Sequence, residues 1–433
     1  MASSRLHGVV LCLCLCAASW SCGLHVAGIG DGSTDIDGVE HDAEGGTADA
    51  DADADRAEVP DGDVSSEDAG DGEDAAEDAA GCTDGLFECL PGGRARRCVG
   101  GAWEDLGTCR LGCNAATGTC YHPSNLPEET VAEAGRAELV APVLPAAETP
   151  ITVDGDSGSI LGRSGAVIRN PGEGVLDGVF FGIVAQPADP TRNVAVFVLD
   201  GLDVPAGVTL RGAGTNPIAF LTEHGIHVYG TIDMGAGTGP MLVTEVDGQH
   251  VPGPGGHFGG APSMPGAGPC PGLADGGARC GNYCTSGGGG GGLGGRGGDG
   301  GDGSSPSQGC TAVFEGGAGG GPCGTAELVP LFGGSGGGGG GRPDDEPTAA
   351  AVPGTGGAGG GAFQMTSLEA IHVYPGGGVT APGGGGGGAD LTGGGGGGGG
   401  AGGGLLLEAP TVVLDAGGFV AANGGGGGSG DCT

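Results

Sequence analysis

Short apolar runs of alternating pattern recur along the chain from residue 148 onward. ITVDG at 151–155, GVFFGIVAQ at 178–186, NVAVFVLDG at 193–201, VTLRG at 208–212, PIAFLTE at 217–223 and GIHVYGTIDMG at 225–235 are rich in Val, Ile and Phe. Each ends on Gly, Asp or a polar residue, which reads as a series of β-strands. No apolar repeat at helical spacing occurs. Three stretches share one pattern: Ile226-His227-Val228-Tyr229 with Ile232, Ile371-His372-Val373-Tyr374 with Val379, and Thr411-Val412-Val413-Leu414 with Phe419-Val420. Each runs on into glycine, and the spacers between them differ widely in length.

Constant strands with variable spacers predict a mostly β fold. Its C-terminal region, 148–433, would be a parallel β-helix or solenoid whose long glycine-rich loops leave at one corner of successive coils. A second arrangement fits the same residues: long glycine runs can pack side by side as polyproline-II-like helices held by backbone contacts. Glycine accounts for 112 of 433 residues, about a quarter against a norm of ~7%. No strict G-X-Y period with abundant proline exists, so collagen is excluded.

Charge narrows the function classes. The formal net charge is −39 and lysine is absent, so all 14 cationic side chains are Arg. Such a chain repels nucleic acid and anionic lipid surfaces. Without lysine, its polyglycine cannot be a Walker phosphate loop. Residues 31–80 hold twenty Asp/Glu, one Arg (Arg56) and almost no large apolar residue. The expectation for 23–81 is a disordered acidic tether, averaging roughly 40 Å end to end before charge repulsion extends it. Asp49, Asp51, Asp53 and Asp55 alternate as in a calcium loop, but the turn glycine and the closing Glu are missing.

Residues 1–22 read as an export leader: Arg5, an apolar run of about a dozen residues, then small residues. Ser19-Trp20-Ser21-Cys22 is similar to a lipobox, making Cys22 the candidate lipid-attachment residue. The alternative is cleavage near Ala17-Ala18-Ser19 and soluble secretion.

Of the sixteen cysteines, six crowd into 82–120: Cys82, Cys89, Cys98, Cys109, Cys113 and Cys120. An even set in an exported chain predicts a small module stapled by three disulfides, with fifteen pairings open. A linker, 121–147, follows. Cys270, Cys280, Cys284, Cys310, Cys323 and Cys432 mostly flank glycine runs and are candidates for loop-pinning disulfides.

Candidate chemistry is sparse. Arg94, Arg96 and Arg97 form a dense positive cluster suited to a solvated loop or to phosphates and acidic glycans; Trp103 beside them suits a mini-core. His224 and His227 lie three apart, on opposite faces of a strand, and cannot share one metal ion. His227 and His372 fall at the same repeat position, as in an exposed ladder. GGRGGDGGDG at 294–303 is similar to a calcium β-roll nonapeptide, occurs once and lacks its large apolar residue. No catalytic residue, metal site or cofactor is expected. The ingredients for a polysaccharide lyase reduce to Asp154, Asp156, Asp200 and Asp203 with Arg192 or Arg211, each next to a turn.

The lipobox-like Cys22, the Asp/Ala-rich spacer, the six-cysteine module and the glycine-rich β region together resemble large surface lipoproteins of myxobacteria. In composition alone, the glycine region resembles the PGRS-type domains of mycobacterial surface proteins. The resemblance implies a non-catalytic lipoprotein at the outer membrane or cell surface with a structural or adhesive role. Its partners would be the membrane, through its lipid, and extracellular glycan or other surface proteins. The alternatives are a lyase-like β-helix enzyme and a secreted glycan-binding module.

Overall fold

The computed structural model describes residues 6–7, 9–12, 26–28, 81–90, 94–114, 119–237, 245–246, 249–274, 285–303, 315–342, 352–389 and 394–430. Cys22, the acidic stretch 31–80, Cys280, Cys284, Cys310 and Cys432 lie outside the described residues. Among the described residues no helix is long and apolar enough to cross a membrane. The leader contributes two short strands, β1 (Leu6–His7) and β2 (Val9–Cys12), and β3 (Val26–Gly28), which lies within the 23–81 stretch expected to be disordered, pairs with β2 through backbone hydrogen bonds.

The cysteine module is a three-stranded antiparallel sheet, β4 (Phe87–Cys89), β5 (Arg94–Val99) and β6 (Ala102–Thr108), with a small hairpin of β7 (Cys113–Asn114) and β8 (Thr119–Cys120). All six cysteines are bridged: Cys82–Cys98, Cys89–Cys113 and Cys109–Cys120. Phe87, Ala95 and Cys109 form its buried centre. So small a core needs covalent staples, and three of them place the chain's maturation in an oxidising, extracytoplasmic compartment.

The chain then makes an entry region of β9 (Ile151–Asp154), β10 (Ile160–Leu161), β11 (Val167–Arg169), β12 (Gly174–Leu176) and β13 (Val179–Gln186). Four passes of similar design follow: β14 (Asp189–Leu199), β15 (Leu202–Val204) and β16 (Thr209–Ala213); β17 (Ile218–Thr222), β18 (Ile226–Val228) and β19 (Thr231–Asp233). After a long glycine-rich excursion, which carries the hairpin β20 (Glu245–Val246) and β21 (Gln249–His250), come β22 (Ala362–Ser367), β23 (Ile371–Val373) and β24 (Gly378–Thr380). The last pass is β25 (Gly404–Glu408), β26 (Thr411–Leu414) and β27 (Phe419–Ala421).

Each pass adds one parallel strand to each of three sheets, in order β14-β17-β22-β25, β15-β18-β23-β26 and β16-β19-β24-β27. The register is unbroken. Phe197 pairs with Phe220, Phe220 with Met365, and Met365 with Leu407. Leu210, Ile232, Val379 and Val420 align in the third sheet. In the second, Ile226 aligns with Ile371 and then with Val412, one residue on from the repeat read in the sequence. Phe181, Phe197, Phe220 and Phe363 stack through the interior with centroids 4.9 to 5.7 Å apart.

The β14-β17-β22-β25 sheet is buried on both faces, as its near-continuous apolar runs require. Its outer face is covered by Leu126, Leu139, Leu328 and Leu331. Residues 121–147, expected to be a linker, therefore pack on this sheet. Asn125 donates to Leu328 O and Gln364 Oε1, and its own oxygen accepts from the Leu331 amide. The Ser124 amide and hydroxyl, Gln364 and Thr366 all donate to the buried Glu408 carboxylate. Burial pushes the Glu408 pKa up and these donors hold it down, with burial the larger effect.

The glycine runs do not leave as loops; they pack into a bundle. Run 285–293 shows the rule. The amides of Gly287 and Gly290 donate to 301 and 298, those of Gly288 and Gly291 to 396 and 399, and those of Gly289 and Gly292 to 273 and 270. Successive N–H groups thus face three different neighbours and return after three residues, the period of a polyproline-II helix. Run 333–341 is enclosed on every side. A Cβ added at Gly336, Gly337, Gly338, Gly339 or Gly340 would lie 1.9 to 2.2 Å from a neighbouring carbonyl oxygen. Glycine is required there because the helices approach backbone to backbone. The sequence similar to a β-roll is one outer helix of this bundle. Asp299 and Asp302, three apart, accept from the amides of Gly319 and Gly316.

Candidate functional site

The most connected group of exposed polar and aromatic side chains sits on the outer face of the β15-β18-β23-β26 sheet. Alternation dictates it: Leu202, Val204, Ile226, Val228, Ile371 and Val373 point inward, and the residues between them point out. Asp203, His227 and His372 are thereby aligned across three strands. Tyr229 and Tyr374 follow two positions after each histidine and share its face. Their amides donate to Val204 O and Val228 O of the preceding pass, which carries the alignment one step past the strand ends.

The rings form a stack. Tyr374 lies 3.9 Å from Tyr229 and 3.7 Å from His372, both near parallel. Its hydroxyl is 3.3 Å from His227 Nδ1, and His372 Nε2 is 2.9 Å from Asp415 Oδ2. The hydrogen bond with Tyr229, with some burial, pushes the Tyr374 phenol up to about 12. At neutral pH the ladder therefore presents a neutral phenol. Such a surface offers a flat apolar ring face edged by hydroxyl, imidazole and carboxylate groups, the arrangement an extended polar ligand stacks on and hydrogen-bonds to.

The ladder contains His227 and His372 as read from the sequence, and sequence reasoning missed Tyr229, Tyr374 and Asp415. The repeated Ile-His-Val-Tyr carried the signal for both tyrosines. His224 does not join; its Nδ1 is 3.0 Å from Asp200 Oδ1, whose charge raises its pKa.

The lyase ingredients do not converge. Asp154 accepts from the Asp156 amide and Ser157, and Asp156 from Thr215 and Asn216. Arg192 pairs with Asp189 and lies over Phe332, and Arg211 is 3.6 Å from Asp233. The arginine cluster of the module is matched by acids of its own sheet. Arg94 pairs with Asp105, Arg96 with Glu88 at 2.8 Å while covering Trp103, and Arg97 with Glu104 at 3.5 Å. Cys270 and Cys323, candidates for loop disulfides, are free thiols that neighbour one another. Among the described residues no group of three or more His, Cys, Asp or Glu could hold a metal ion. No family model, curated protein or solved structure matches this chain.

Proposed function

We propose that this chain is a non-catalytic cell-surface protein with a structural and adhesive role, its four passes forming a β-solenoid that displays the histidine–tyrosine ladder to extracellular glycan. In this reading Cys22 carries the lipid that holds it at the outer membrane. The observation that carries the proposal is the stacked Tyr229–Tyr374–His372 row, built in register on a rigid sheet.

Affinity electrophoresis of the oxidised protein through gels containing pectin, alginate or peptidoglycan fragments tests the reading. Retardation should occur on at least one polymer, and Tyr229→Ala should weaken it about tenfold, ~1.4 kcal/mol. Equal mobility on every polymer overturns the adhesive reading. Release of unsaturated sugars would replace it with a lyase. Loss of surface retention on Cys22→Ala tests the anchor separately.

A further inference from the structure

Two cysteines that lie far apart in the sequence are brought together by the main chain of the glycine bundle. Cys270 opens the segment 270–274, Cys323 closes the run 315–323, and the inner run 285–293 holds both. The Gly292 amide donates to Cys270 O at 2.9 Å, and the Cys323 and Gly324 amides donate to Leu293 O at 2.8 and 3.0 Å. Gly320 sits one turn before Cys323 in the three-residue helix. A Cβ added there would lie 2.0 Å from Cys270 O, so the two segments touch backbone to backbone. Their side chains meet as well: the Cys323 thiol is hydrogen-bonded to the Cys270 thiol.

The surroundings are built around the pair. The enclosed run 333–341 carries one side chain, Ser335, and it is fully buried. Its hydroxyl accepts from the Cys270 amide at 3.0 Å and is hydrogen-bonded to the Cys323 thiol. The one serine in this glycine run thus falls where it reaches both cysteines. Leu293, Phe332 and Ala401 pack beside Cys323, and the Arg192 guanidinium lies 4.6 Å from the centre of the Phe332 ring. Burial and the Cys270 contact raise the Cys323 pKa to about 12, while Ser335 and the charge of Arg192 act the other way. The same chain forms three disulfides in its module, so its thiols mature among disulfide oxidants.

We propose that Cys270 and Cys323 close to a further disulfide after the bundle has assembled, tying run 315–323 to segment 270–274 across run 285–293. The oxidant is a second disulfide, RSSR, of a small thiol or of an exchange catalyst. One cysteine, as thiolate, attacks a sulfur of RSSR; its S–S bond breaks, one RSH leaves, and a mixed disulfide forms. The other cysteine sulfur then displaces the second RSH. The chain gives up two electrons and two protons, which end as the S–H bonds of two RSH molecules. With the Cys323 thiolate scarce, closure is slow and follows folding. The bond spans 275–284 and 304–314, a far longer loop than those of the module, whose ends lie 11 to 24 residues apart. Restraint of the unfolded chain grows with loop length.

The test exposes the native full-length chain to glutathione disulfide, then blocks remaining thiols with iodoacetamide in guanidinium. Linked fragments are mapped by mass spectrometry without reduction. Cleavage after Arg279, Arg296 and Glu315 puts Cys270, Cys310 and Cys323 on separate fragments, apart from Cys280 and Cys284. The expected result is a Cys270–Cys323 pair at least tenfold more abundant than a link from either cysteine to any other, with that preference lost when exchange is run in guanidinium. Amide exchange at Cys323 and Gly324 should be at least tenfold slower in the closed chain than in Cys270→Ser treated alike. Thiols at 270 and 323 that are still alkylated, links to Cys280, Cys284, Cys310 or Cys432, or an equal preference in guanidinium overturn the proposal. A closed bond that leaves amide exchange as in Cys270→Ser overturns the tie between the runs.

Discussion

Replacing Gly338 by alanine tests the backbone-to-backbone packing of the bundle. A methyl there would sit 2.2 Å from Leu273 O and 2.4 Å from its carbonyl carbon, where ordinary contact begins near 3.4 Å. The obstacle is main chain and cannot rotate away. The two helices would have to separate by about 1 Å, enough to forfeit close packing. Leu273 O accepts from Gly289, Gly289 O accepts from Gly338, and Gly338 O accepts from Gly398, so three buried hydrogen bonds are drawn into the shift. Overpacking costs about 1–3 kcal/mol, and each bond left with a buried unpaired partner adds about 1–3 kcal/mol. A loss of about 4 kcal/mol or more is expected, a large share of the ~5–15 kcal/mol that holds a domain together. Gly298→Ala is the control. Its Cβ meets nothing within 4 Å, and alanine restricts the unfolded chain, so a gain of about 0.5 kcal/mol is expected. Hydrogen exchange across 285–301 and 333–341, with thermal melts by circular dichroism, measures both. Unchanged protection in Gly338→Ala, or equal effects of the two variants, would refute the reasoning.

Three further outcomes follow from buried groups. Burial, with Arg192 nearby, lowers the His257 pKa from its usual 6.5, so the unfolded chain takes up the proton first; stability should be lost as pH falls through 6.5, and melts of His257→Asn should show a flatter acid limb. Glu408→Ala strips the acceptor from Ser124, Gln364 and Thr366; a cost of about 2–3 kcal/mol is expected, together with protease cleavage within 121–147. Burial, then Cys270, raises the Cys323 thiol to about 12, so iodoacetamide should label it far more slowly in the native protein than in guanidinium, as read by mass spectrometry.

The strands were legible because their apolar residues alternate and end on turn residues. The disulfide module was legible because six cysteines fall within forty residues of an exported chain, although spacing could not choose among the pairings. The first pass escaped notice as part of the repeat because β15 carries Leu-Asp-Val where β18 and β23 carry Ile-His-Val. The one-residue offset at Val412 escaped because Thr411, Val412 and Val413 are all β-branched and no histidine marks the outward position. In the ladder, the histidines drew attention through their titratable chemistry. The tyrosines lie just past the strand ends, where alternation is no longer a guide, and only the amide bonds to the preceding pass keep them in line.

The glycine runs carry more positional information than their composition suggests. Where a helix is enclosed, most positions exclude a side chain, and the sequence reads GGSGGGGGG at 333–341 or GGGGGGGAGG at 394–403, interrupted only by the small, buried Ser335 and Ala401. Where a helix lies at the bundle surface, side chains recur every third residue and face out, as in RGGDGGD at 296–302. The outward Asp299 and Asp302 then satisfy amides that an inner helix would hand to a neighbour. A charged interruption every third residue therefore marks the edge, whereas a small one such as Ala358 sits inside the bundle. Run 424–430 is nearly unbroken, GGGGGSG, yet a Cβ at Gly426 meets nothing and one at Gly427 makes ordinary contact. Composition alone therefore does not place a helix; the atoms a Cβ would meet decide which glycines the packing requires.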